Sequence, residues 1–237
     1  WRRLQPIPEA LWLQVLTAFP FLQTLDPAEH RRLQQLCSHF LLEKEFHPAN
    51  GLTLDDAMAL AIAAQACLPL LHMHGPSGQP AANPLDLLDW YGDFVGIVVQ
   101  PGAVVARRKT IDSAGVMHHY DEVIAGEAMD RGPLMLSWED VAHAGASALH
   151  GHNVVIHEFV HKMDMLGMRL GESPDGAPPL PSGFMGTHQR VRAQQVWHQT
   201  MQAAYDRIRE ADSMAERYAA AVPCLDDYAP KDPAEFY

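Results

Sequence analysis

The sequence predicts an α+β protein, and three observations carry that expectation. Apolar residues recur at helical spacing through about residues 1–72, and short runs rich in valine and isoleucine follow between Phe94 and Ser137. An apolar helix then carries His157-Glu158-Phe159-Val160-His161, with a long amphipathic helix behind it, in what reads as one domain covering residues 1–237.

The elements follow in chain order. Asp26-Pro27-Ala28-Glu29 is a capping box with proline at the first helical position, and Leu33, Leu36, Cys37, Phe40 and Leu41 come after it at helical spacing. Thr53 with Asp56 starts a second helix carrying Leu54, Met58, Ala61, Ile62 and Gln65. The apolar run from Ala57 to Leu71 contains Gln65 and Pro69 and falls short of the ~20 residues a membrane span requires, so it reads as a core helix. Beyond a Gly/Pro/Asn-rich loop from His74 to Pro84, Phe94–Gln100, Ala103–Thr110 and Val116–Ile124 read as antiparallel strands. A fourth strand, Pro133–Ser137, ends where Ser137 with Asp140 caps a short helix. The histidine helix should run from about Asn153 to Leu166 and stop at Gly167. Gly171–Gly183 is rich in proline and glycine and reads as a loop. Thr187 to about Ala221 is the long helix, with Val191, Val196, Trp197, Met201, Tyr205 and Ile208 on or near one side.

Composition narrows the function. The 17 basic against 29 acidic residues give a net charge of −12, which repels a phosphate backbone, so no nucleic-acid partner is expected. The short Arg107-Arg108-Lys109 run reads as a solvated strand end. Cys37, Cys67 and Cys224 are odd in number and widely spaced, which suits neither a disulfide framework nor a paired-cysteine metal site and points to a reducing cytoplasm. No signal peptide is visible, although the chain starts at Trp1 without a methionine, and no membrane partner is expected.

The motif carries the chemistry. Residues four apart on a helix share a face, so His157 and His161 can reach one ion, and Glu158 can stand over its open coordination position. Zinc held there makes a water acidic near neutral pH and polarises a carbonyl, with Glu158 as general base. Chance supplies about 0.04 such patterns in a chain of this composition. Val154-Val155-Ile156 before the motif and Phe159, Val160, Met163 and Leu166 within or after it embed the histidines in a buried helix, unlike a surface pair. An edge strand just before that helix could pair with an extended peptide and lay the scissile carbonyl across the ion. Leu134-Met135-Leu136-Ser137 is the candidate edge, and an interior place in the sheet is the alternative.

Two histidines do not complete a catalytic zinc site, which takes three protein ligands and an open fourth position. A glycine three residues and a histidine six residues after the second histidine would mark one known class, but Asp164 and Gly167 stand there. The third ligand therefore comes from Asp164, another histidine, or a later glutamate. Asp164 reads better as a residue that orients a ligand, or as a surface residue one turn on, and His150 and His152 read as loop histidines.

Asn153 to Asp164, together with Ala63-Ala64-Gln65-Ala66-Cys67, Leu88-Asp89-Trp90-Tyr91, Gly126-Glu127-Ala128, Arg131-Gly132-Pro133 and Leu136-Ser137-Trp138, resembles the Mlc titration factor A family of bacterial zinc metallopeptidases. The resemblance runs through nearly the whole chain. It implies a zincin-like fold, cytoplasmic residence, aminopeptidase-like activity on peptides, and binding to the Mlc repressor of sugar-uptake genes. It also implies a third zinc ligand at Glu235, in Asp232-Pro233-Ala234-Glu235, and a transition-state role for Tyr228. By spacing alone that tetrapeptide is equally a capping box, the same four residues as Asp26–Glu29, and Tyr228 could be a packed tyrosine. The chain stops at Tyr237, where the family continues the helix, so a truncated C-terminal helix and weakly held zinc are expected.

The expectation is thus a zinc metallopeptidase with His157, His161 and Glu235 as ligands and Glu158 and Tyr228 in the chemistry. The alternative is a non-catalytic regulatory protein with a structural zinc that sequesters a repressor. A fourth protein ligand would mark that second case.

Overall fold

The computed structural model describes residues 6–76, 81, 83–111, 117–124, 126–148, 152–169 and 190–210. Three helices open it: α1 (Glu9–Ala18), α2 (Pro27–Glu43) and α3 (Asp56–Cys67). The capping box before α2 forms as read: the Asp26 carboxylate accepts from the Ala28 and Glu29 amides at 2.7 and 2.9 Å, and Glu29 accepts from the Asp26 amide at 2.8 Å. Those two backbone amides, Glu29's first, also hold the Asp26 carboxyl below its ordinary pKa. The cap of α3 is Asp55, whose carboxylate accepts from the Met58 amide at 2.8 Å, and not the expected Thr53. With Asp55 meeting the third helical amide, the helix starts two residues later than a Thr53 cap would set it.

Helix α3 is buried on all sides, and it packs against α1, α2 and the histidine helix. Ala61, Ala63, Ala64 and Ala66 let those neighbours approach closely. Within the region expected to be helical lies a strand, β1 (Glu45–Pro48). It has one large apolar residue and ends in proline, so no alternation marks it, and such a sequence is tolerated only at a sheet edge.

The remaining strands are β2 (Gly96–Gln100), β3 (Val104–Ile111), β4 (Met117–Ile124), β5 (Gly126–Ala128) and β6 (Leu134–Ser137). They form two sheets. One is the expected antiparallel hairpin, β3 with β4, which places Arg107, Arg108 and Lys109 inside a strand and not at its end. The other is mixed, in the order β1-β2-β6-β5, with β1, β2 and β6 mutually parallel and β5 antiparallel to β6. The Phe94–Gln100 segment is therefore a strand but not an antiparallel one. Its partners arrive from the unrecognised β1 and, after the hairpin, from β6, and such long returns yield parallel pairing.

The order also corrects the expected edge. Leu134–Ser137 lies between β2 and β5, and among the described residues the strand outermost on that side is the three-residue β5, with β1 at the other end. Leu134 and Leu136 are fully buried, as an interior strand requires, whereas Gly126-Glu127-Ala128 is too short to show a pattern of its own. Behind the sheet come α4 (Trp138–Ser147), started by Ser137, whose hydroxyl accepts from the Asp140 amide at 3.4 Å, then α5 (Val154–Arg169) and α6 (Arg190–Glu210). Helix α5 continues two residues past Gly167. A glycine near a helix end costs only about 1 kcal/mol, which tertiary packing overrides. On α6, Tyr205 is buried, while Val196, expected near the apolar side, is exposed. The parts of the expected long helix before Arg190 and after Glu210 lie outside the described residues. Among the described residues no helix is long and apolar enough to cross a membrane.

An aromatic cluster seats α5. Phe159 meets Tyr91 at 4.9 Å, Phe40 at 5.6 Å and Phe94 at 5.9 Å between ring centroids, and the Tyr91 hydroxyl donates to the Ala66 carbonyl at 2.8 Å. Truncating a fully buried phenylalanine costs about 3–5 kcal/mol, a large share of a domain's stability. Beneath the cluster, buried Lys44 donates to the Tyr91 and Phe94 carbonyls at 2.5 and 2.7 Å and lies 4.3 Å from the Phe94 ring centre. Burial pushes its pKa down from 10.5 to about 8. Between those two values the unfolded chain holds a proton that the folded chain has lost, so stability rises with pH across that window. The urea midpoint of the wild type minus that of Lys44→Met, measured from pH 7 to pH 10.5, should move in the wild type's favour as pH rises. A constant difference would show that Lys44 keeps its ordinary pKa.

Candidate metal centre

The site is built from α3, α5 and β5. The Asn153 side chain caps α5 by accepting from the Ile156 amide at 3.0 Å, and the Asn153 carbonyl accepts from the His157 amide at 3.0 Å. Asn153 is itself oriented from the core: its amide donates to the Gln65 side-chain oxygen at 2.9 Å, while Gln65 donates to the Ala61 carbonyl at 3.2 Å. A fully buried glutamine on an otherwise apolar helix thus fixes the first turn of the histidine helix.

One turn on, His157 and His161 are both half-buried, with ring centroids 4.4 Å apart and their Nε2 atoms 3.0 Å apart. Two imidazole ligands of one tetrahedral zinc, each about 2.0–2.1 Å from it, stand roughly 3.3 Å apart, so the pair fits an ion after a small ring rotation. Glu158 is 6% exposed and lies against Gly126, the first residue of β5. A Cβ on residue 126 would sit 2.5 Å from the Glu158 Cγ and 2.6 Å from its Oε1. The outer strand therefore passes directly over the carboxylate, and glycine is what allows it.

Lys162 follows His161 and is fully buried. Its ammonium donates to the Met129 carbonyl and, at 2.8 Å, to the Gly132 carbonyl, in the turn between β5 and β6. Asp164 is 6% exposed, so the reading of it as a surface residue does not hold. His152 is exposed in the loop before α5, in keeping with a loop histidine, while His150 lies outside the described residues. Cys37 and Cys67 are both fully buried, and burial, aided by Cys37, pushes the Cys67 thiol well up, which leaves it protonated and inert.

Tyr228 and Glu235 lie outside the described residues, as does Cys224. Among the described residues no group of three or more His, Cys, Asp or Glu side chains is set to hold an ion. The fold brings the two histidine rings together, while Glu158, next to His157 in the sequence, lies against Gly126.

The roles of four residues escaped the sequence reading. Gly126 and the strand it opens gave no pattern. Gln65 and Asn153 are 88 positions apart and show their bond only in the fold. Lys162 did leave a signal, because Val155, Phe159, Lys162 and Leu166 recur at helical spacing, so the lysine shares the core-facing stripe.

Comparison with known proteins places the chain in a family. The chain is 33% identical over 239 residues to Mlc titration factor A of Serratia proteamaculans (strain 568), covering 100% of this chain and 79% of that protein. It is 30% identical over 239 residues to Mlc titration factor A of Pectobacterium atrosepticum, covering 100% and 78%. The protein of the same name from Klebsiella pneumoniae (strain 342) is 30% identical over 229 residues, covering 97% and 75%. The family model for glucose-regulated metallo-peptidase M90 matches residues 1–237, and the chain belongs to that metallopeptidase family.

Proposed function

We propose that this chain is a zincin-like, zinc-dependent metallopeptidase with aminopeptidase-like action on peptides, working as a single cytoplasmic domain. The observation that carries the reading is the His157–His161 pair, with Nε2 atoms 3.0 Å apart on a buried helix, beside a buried Glu158 under an outer strand. His157, His161 and Glu235 would hold the ion. When bound, zinc supplies a Lewis acid for the scissile carbonyl and lowers the pKa of a water to about 7. Glu158 accepts the proton of the attacking water and passes it to the leaving amine. The Tyr228 phenol donates a hydrogen bond to the oxygen that gains charge. Strand β5 offers its outer main-chain groups to an extended peptide, the role first given to Leu134–Ser137.

A second reading is favoured by the relatives' name, which speaks of titrating Mlc and not of hydrolysis. In it the chain binds an Mlc-like repressor of sugar-uptake genes, either alongside peptide hydrolysis or in its place with a structural zinc. Metal analysis with a peptide-release assay, with and without chelator, separates the two. The peptidase reading expects one bound zinc, amine release that chelator abolishes, and loss of zinc in Glu235→Ala. Bound zinc without amine release would leave the regulatory reading standing.

A further inference from the structure

We propose that Lys162 is a positioning residue that sets the substrate-binding strand against the histidine helix; this rests on the peptidase reading above. The turn from β5 to β6 runs through Asp130, Arg131 and Gly132, and Arg131 has a φ of +52°, a left-handed conformation that non-glycine residues rarely adopt. Such a residue persists where the surroundings over-determine it. Here the Gly132 amide donates to the Met129 carbonyl at 3.1 Å, and a Cβ on Gly132 would sit 2.8 Å from that of Met129. The same Met129 carbonyl and that of Gly132 both accept from the Lys162 ammonium, which lies 4.5 Å from the Phe94 ring centre. One buried cation thus gathers the two carbonyls that flank the left-handed residue.

The other end of β5 is located by a different contact, Gly126 against Glu158. Helix α5 therefore grips the three-residue outer strand at both ends, through Glu158 and Lys162, which are one turn apart on the helix. A free strand of that length has almost no intrinsic stability, and its outer edge can bind a peptide in register only if its height over the histidines is fixed. Lys162 supplies that fixation at the end away from Glu158.

The test uses the zinc-loaded full chain and two substrates, a single-residue arylamide that cannot reach along the strand and a peptide of six or more residues. Lys162→Met should reduce kcat/KM on both, and about tenfold further on the peptide through KM, the equivalent of one or two main-chain hydrogen bonds. Lys162→Gln, which keeps a donor, should fall between, and it carries the test if the methionine variant does not fold. Amide exchange in residues 126–132 should quicken in both variants while that of α2 and α3 stays as in wild type. Equal losses on the two substrates, or unchanged exchange in 126–132, would overturn the role while leaving the peptidase reading intact. A wild-type chain that cleaves neither substrate removes the peptidase reading and this role with it.

Discussion

Glu158→Gln should abolish peptide hydrolysis, by about 10²–10⁴-fold in kcat, while zinc stays bound. The amide keeps the shape of the carboxylate and its fit beneath β5, where Glu158 is 6% exposed, but it cannot accept the proton of the attacking water. His157→Ala should lose both zinc and activity, because its Nε2 is one of two nitrogens 3.0 Å apart that the reading assigns to the ion. The two variants thus separate proton transfer from metal retention. Metal content by mass analysis and kcat on a peptide check them together. Near-normal turnover in the glutamine variant would remove Glu158 from the chemistry and the proposed mechanism with it.

How much of this was legible in the sequence depends on the range of each interaction. The capping box at Asp26–Glu29, the apolar stripe Leu33, Leu36, Cys37 and Phe40, and the start of α4 at Ser137 are local, set by contacts three or four residues apart, and the sequence shows them. The histidine pair is equally local, since one helical turn suffices to converge two rings. Strand order is not. Whether Leu134–Ser137 sits at the rim or inside is decided by β5, whose three residues carry no alternation, while β1, Glu45-Phe46-His47-Pro48, lies in a region expected to be helical. The support of the site is longer in range still. Gln65 reaches Asn153 across 88 positions, and Lys162 reaches back about 30 residues to the β5–β6 turn. A buried polar residue on an apolar helix announces that a partner exists, but only the fold says which.

Gly126→Ala should cost about 10²-fold or more in kcat with zinc retained and the fold intact. The new methyl carbon would meet the Glu158 Cγ at 2.5 Å, its Oε1 at 2.6 Å and its Cδ at 2.8 Å, all inside contact distance. Cγ cannot swing aside as a side-chain tip can, so either the carboxylate leaves its place or β5 lifts off α5. Both outcomes move the proton acceptor relative to the edge that holds the peptide, and displacements near 1 Å at a reacting centre cost about 100-fold. Lifting would raise KM for an extended peptide as well, whereas a displaced carboxylate acts on kcat alone. A double-mutant cycle gives the sharper answer. If Gly126 acts through Glu158, adding Gly126→Ala to Glu158→Gln should lower the residual rate by much less than it lowers the wild-type rate, since the group it disturbs is already disabled. Full additivity, or an alanine variant with wild-type kcat, would mean that the outer strand does not govern the carboxylate, and the close approach would then be packing without a catalytic consequence.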